Sequence, residues 1–192
     1  MSSDGVRQVQ DVSSLKALAH PLRVRLLACL REAGPATATE LAKRLDTESG
    51  STSYHLRVLA QHGFVADAGE EPRRHPRERR WTAVDQVNNW SNAAFATTPA
   101  GREASGLMRR QQVEILMQDL SRFEESLTTL DTSWIEAAGI GDLVVSLTPE
   151  SVTLIWDRFY QHLDELVARD ATAPTAARVS FVVAAFPRPE AP

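Results

Sequence analysis

The sequence predicts a mainly α protein with a small β component, and three patterns point to it. Apolar residues recur three and four apart through 12–33 and again through 38–62, the period of helices with one buried face. Short apolar runs at 64–65 and 80–84 flank an arginine-rich loop, as the arms of a β-hairpin would. A further stripe, Val113, Leu116, Leu120, Phe123, Leu127, Leu130 and Trp134, keeps the spacing of a coiled-coil seam and calls for a long helix.

Taken in order, residues 1–11 are polar and are expected to fray. A short helix over 12–19 stops at His20–Pro21, and Pro21 suits the first turn of the next helix. That second helix runs to about residue 33 and ends at Gly34–Pro35. Leu22, Leu26, Cys29, Leu30 and Ala33 make it an apolar spine. Thr37 and Glu40 stand three apart, the spacing of a capping box, so a third helix starts there with Leu41 and Leu45 inward. Residues 46–50 are polar and contain a glycine, which suits a tight turn. A fourth helix then buries Thr52, Leu56 and Leu59, leaves Ser51, Ser53, Tyr54 and Arg57 outward, and ends at Gly63 as at a C-cap.

Two helices crossed at a short turn and followed by a hairpin make a winged helix–turn–helix domain over 12–85. Hydroxyls, an aromatic ring and a guanidinium on the outer face of its last helix can read base edges or hold phosphates in a major groove. The hairpin carries Arg73, Arg74, His75, Arg77, Arg79 and Arg80, a basic tip suited to the DNA backbone or a minor groove. The residues expected to touch DNA are therefore Ser51, Ser53, Tyr54, His55 and Arg57 on the helix, and Arg74, Arg77, Arg79 and Arg80 on the wing. Each has a plainer reading. Tyr54 could pack against the wing, His55 could bond to the preceding helix, and the arginine run could be a solvated loop.

The segments LKALAHPLRVRLLACL (15–30), ATELAKRL (38–45), STSYHLRVLAQHGFV (51–65) and RERRW (77–81) resemble the ArsR family of bacterial transcription regulators. The resemblance covers a little over a third of the chain, and this variant, with SGSTSYHLRVL and a basic strand after the wing, resembles the actinobacterial members with a helix-rich carboxy-terminal extension. It implies a homodimeric regulator of transcription that dimerises partly through the helix after the wing. Members that sense soft metals use cysteine pairs or a His/Asp/Glu set on that helix. Here residues 101–138 contain no histidine and the sole thiol, Cys29, lies on an apolar face, so no metal or other cofactor is expected.

The net charge of −4 would by itself disfavour a nucleic-acid partner. Dividing the chain removes the conflict. Residues 1–85 hold 13 Lys/Arg against 11 Asp/Glu, a net of +2, whereas 86–192 hold 8 against 14, a net of −6. Attraction to DNA follows the local patch, not the sum. No apolar run approaches a membrane span, no signal peptide is expected, and one cysteine excludes an internal disulfide. A cytoplasmic protein is expected.

Beyond the wing, 86–100 reads as a connector and 101–188 as a dimerisation and α+β unit. Strands are expected at 143–147 and 178–186, around a helix that Thr148 caps and Pro149 opens. Trp90, Trp134, Trp156, Phe159 and Tyr160 supply enough aromatic surface either for a core or for a small-molecule effector pocket. No nucleophile elbow, HExxH or phosphate-binding loop is present, so no enzymatic activity is expected. The alternative to a regulator is an interaction module whose carboxy-terminal half binds a partner protein.

Overall fold

The computed structural model describes residues 6–69 and 79–188. The chain divides into two compact units, the first ending at Glu114 and the second beginning at Ile115. The first contains β1 (Val6–Val9), α1 (Val12–Leu18), α2 (Pro21–Ala33), β2 (Ala36–Thr37), α3 (Ala38–Arg44), α4 (Ser49–Gln61), β3 (Val65–Asp67), β4 (Arg80–Ala83), β5 (Val87–Trp90), α5 (Asn92–Ala96) and the start of α6 (Pro99–Ser126). The second contains the rest of α6, then α7 (Thr132–Ala137) and α8 (Pro149–Asp170).

Local chemistry explains where the amino-terminal helices begin. The Asp11 carboxylate accepts from the Ser14 amide at 2.8 Å and from the Ser13 hydroxyl at 2.6 Å, and these bonds hold its pKa at about 2. His20 caps α2 by accepting from the Leu22 amide through Nδ1, with Pro21 in the first turn as the sequence predicts. At α3 the capping box forms in both directions. The Glu40 amide donates to Thr37 Oγ1 at 3.2 Å, and the Thr37 amide donates to Glu40 Oε2 at 2.8 Å. Thr37→Ala is expected to cost about 1 kcal/mol of stability. A urea midpoint unchanged by the substitution would show that the box is dispensable.

The helices close over one core. Leu15, Leu26, Leu41, Leu56 and Leu59 are wholly buried, and Phe64 nearly so; Trp81 from the wing and Phe95 from α5 join the same cluster. Gly63 ends α4 with a φ of +71°, a left-handed turn that glycine adopts without strain. The wing sheet is antiparallel in the order β2–β4–β3, with Ala36 opposite Trp81 and Val65 opposite Ala83.

Two segments differ from expectation in this unit. Residues 6–9, expected to fray, form β1, which pairs in parallel with β5 so that Val6 faces Val87 and Val9 faces Trp90. The expected connector is accordingly structured, and Phe95 is buried in the core. A four-residue strand whose partner lies some eighty positions away leaves no periodicity to detect, because only tertiary closure brings the ladder together. Gly101 is needed at the start of α6, where a Cβ would run into the Phe95 carbonyl.

In the second unit, Asp131 caps α7 by accepting from the Ser133 amide, and Thr148 caps α8 with Pro149 in its first turn. The expected strands at 143–147 and 178–186 do not form. Leu143 is 78% exposed and Phe186 72%. Runs rich in valine favour an extended chain, but a strand exists only where a second chain segment meets it in register. The expected continuous helix to residue 138 also breaks. The Ser126 hydroxyl donates to the Phe123 carbonyl and the Thr129 hydroxyl to the Ser126 carbonyl, and such local bonds compete with the helical ladder. Leu127 and Leu130 therefore lie in the turn between α6 and α7, and Trp134 lies in α7.

Candidate nucleic-acid interface

The geometry of α4 sorts its residues into two faces. Thr52, His55, Leu56 and Leu59 are buried, while Tyr54, Arg57 and Gln61 are exposed and Ser51 and Ser53 are half-buried at the margin. Three- and four-residue steps place Gly50, Ser53 or Tyr54, Arg57 and Gln61 in one line along the helix. Tyr54 is 59% exposed, with its ring edge-on to His55 at 5.1 Å. Gln61 escaped the sequence reading. Its signal was the four-residue step beyond Arg57, and its amide is of the type that pairs with adenine.

His55, expected to touch DNA, is turned inward. It is only 9% exposed, its ring lies 4.3 Å from that of His20, and its Nδ1 stands 3.4 Å from Arg23 Nη1. Burial lowers both imidazole pKa values. The charge of Arg23 adds to the effect on His55, and those of His55 and Arg23 to that on His20. Arg23 also donates to the Lys16 and Ala17 carbonyls. These contacts fasten α4 to the α1–α2 corner. Its far end is fastened too. Arg7 donates to the His62 carbonyl at 2.7 Å and sits over the Phe64 ring at 4.3 Å, while the Ser14 hydroxyl lies 3.1 Å from His62 Nδ1. Attachment at the middle and at the carboxy-terminal end steadies the outward face, as a reading helix requires.

The wing divides in the same way. Arg79 is exposed, with its guanidinium 5.0 Å over Trp81 and 3.2 Å from Asp67. Arg80, expected to contact DNA, is turned inward instead. It donates to the Pro35 carbonyl at 2.6 Å and lies 3.6 Å from Glu40, which joins β4 to the start of α3. Alternation along the strand sends neighbouring arginines to opposite faces. Arg74 and Arg77 lie outside the described residues.

Of the expected dimerisation residues, Val113 is exposed at the end of the first unit. Leu116, Leu120, Phe123, Leu127, Leu130 and Trp134 are half-buried in the second. The aromatics likewise separate. Trp90 belongs to the first unit, whereas Trp156 and Tyr160 stack along α8 at 6.3 Å with Phe159 edge-on to Tyr160. Among the described residues no cluster of three or more His, Cys, Asp or Glu could hold a metal ion. No described helix is long and apolar enough to cross a membrane.

Residues 18–67 match a family model described as a helix-turn-helix domain. A solved structure described as "Structure of Disulfide formed AbfR" is 19% identical over 56% of this chain and 71% of that chain, with a TM-score of 0.29, too low a likeness to decide anything here. None of the curated proteins matches the chain. The capped α3, the turn, the outward-facing α4 and the matched model together make the amino-terminal unit a helix–turn–helix domain, the DNA-binding part of a transcriptional regulator.

Proposed function

We propose that the chain is an ArsR-like repressor that binds a pseudo-palindromic operator as a homodimer and blocks transcription from it. The observation that carries this reading is the outward line of Tyr54, Arg57 and Gln61 on a helix held at its middle and at its carboxy-terminal end. Two-fold symmetry would set the paired α4 helices in major grooves about ten base pairs, or about 34 Å, apart. Ser51 and Ser53 would donate to phosphates, Arg57 would pair with guanine, and the wing with Arg74, Arg77 and Arg79 would follow the flanking backbone. The protein acts by binding and catalyses no reaction.

Titrating the full chain against DNA from upstream of its own coding region, by fluorescence anisotropy at low and moderate salt, tests this. Saturable binding that weakens steeply with salt is expected. No binding at low salt would sink the proposal.

Dimerisation is assigned to the stripe on α6 and after it. Leu116, Leu120 and Phe123 are only half-buried within one chain, so a second copy can still cover them. Leu120→Asp together with Leu127→Asp is expected to give monomers on sizing chromatography with light scattering. A persistent dimer would show that the stripe is covered within one chain. Any effector held by the aromatic face of α8 would act by favouring a dimer whose two α4 helices are wrongly spaced. A second reading, in which the second unit docks a partner protein, draws on the exposed apolar side chains of 143–147 and 178–186.

A further inference from the structure

Two imidazoles meet where the inner face of α4 rests on the α1–α2 corner. The rings of His20 and His55 lie 4.3 Å apart with their planes tilted by 37°. Each ring uses the lone pair of its Nδ1. His20 accepts from the Leu22 amide at 3.2 Å, and His55 faces Arg23 Nη1 at 3.4 Å. A guanidinium can only donate, so His55 Nδ1 has to accept. An imidazolium has no free lone pair, so a proton placed on Nδ1 of either ring breaks the bond made there. Among the described residues, the charges that bear on the two rings are each other's and that of Arg23, all of one sign. The other polar neighbours offer no countercharge. Tyr54 sets a phenol ring edge-on to His55, and Lys16 gives Arg23 its carbonyl while its ammonium pairs with Glu103 at 2.6 Å.

We propose that His20 and His55 are positioning residues that hold α4 in its seat only while both rings are neutral, so that DNA binding weakens in mildly acidic solution. This rests on the reading that α4 enters a major groove. The Tyr54 ring leans on His55, and Arg57 follows two residues later on the same helix, so a displaced His55 shifts the outward line. Hydrogen bonds between side chain and base hold only over about 2.7–3.2 Å, and a shift of about an ångström breaks them. The stability side has the same sign. Burial and the neighbouring positive charge lower both pKa values below the ordinary 6.5. The stability drawn from the neutral pair is therefore present above 6.5 and is lost as pH falls through the lowered values. Histidines exposed to the phosphates act in the opposite direction, because their protonation strengthens attraction to DNA.

That difference in sign makes the proposal testable. The full-length chain is compared with His20→Asn plus His55→Asn, whose amide oxygens can accept as Nδ1 does but do not titrate. Anisotropy titrations with the upstream DNA fragment run from about pH 7.5 to about 5.5 at one salt concentration, within the range where circular dichroism shows the native fold. Affinity of the parent is expected to fall about tenfold on acidification, and that of the variant to stay within about twofold. A parent whose affinity holds or rises overturns the proposal, and so does an equal fall in both proteins. If the variant does not fold, nuclear magnetic resonance titration of the two rings in the parent decides. DNA is expected to lower their protonation points, and unchanged or raised values overturn the proposal. A parent that binds no DNA at about pH 7.5 and low salt removes the groove reading itself, whereas one that binds equally across the range removes only the sensitivity to protons.

Discussion

Arg57→Ala combined with Arg79→Ala is expected to weaken DNA binding by about 2–4 kcal/mol, or roughly 30- to 1,000-fold. The two residues contribute in different ways. Arg57 stands in the outward line of α4, where a planar fork can take both acceptors of a guanine, so its loss should be felt most on the specific site. Arg79 lies on the wing beside Asp67 and over Trp81, and its loss should weaken binding to any sequence alike. It should also lower the slope of log affinity against log salt by about one. Both side chains are exposed, so neither replacement should cost much stability. Anisotropy titrations of the parent, both single variants and the double variant, on specific and scrambled fragments, separate these effects. Retention of parental affinity by the double variant would remove α4 and the wing as the binding surface.

Leu56→Ala is the substitution expected to do most damage to the fold. Leu56 is wholly buried in the cluster that joins α1, α2, α3 and α4, with Leu15, Leu26, Leu41 and Leu59 also fully enclosed. Truncating it removes buried methyl groups and leaves a cavity that its rigid neighbours cannot close, at a cost of about 2–5 kcal/mol. Native domains are stable by only about 5–15 kcal/mol, so this loss is a large fraction of the whole. An unfolding temperature lower by about 5–15 °C in circular dichroism is the expected result. Leu56→Met, which nearly conserves volume, should cost less than about 1.5 kcal/mol and serves as the control. Equal behaviour of the two variants would show that the cluster is not close-packed around this residue.

Local chemistry made the helix–turn–helix readable from residues alone. Thr37 and Glu40 satisfy each other across one turn, Pro21 and Gly63 sit where a helix opens and closes, and Thr52, Leu56 and Leu59 point inward by period. His55 and Arg80, expected to touch DNA, both turn inward. His55 stands three residues after Thr52 and four before Leu59, and packing against His20 and Arg23 holds it there. Strand alternation gave neighbouring arginines opposite faces but could not say which one would meet Pro35 and Glu40.

What the sequence determined by itself was the identity and phase of the helices up to Gly63, and with them the outward position of Tyr54 and Arg57. Those follow from capping, propensity and periodicity, which act over a few residues. The tertiary structure alone decided the pairing of β1 with β5, the inward turn of His55 and Arg80, and the absence of paired strands at 143–147 and 178–186. Each of these depends on groups far apart in the chain. Strand ladders and buried polar contacts gain their energy only after distant segments meet, and no local pattern records whether they do.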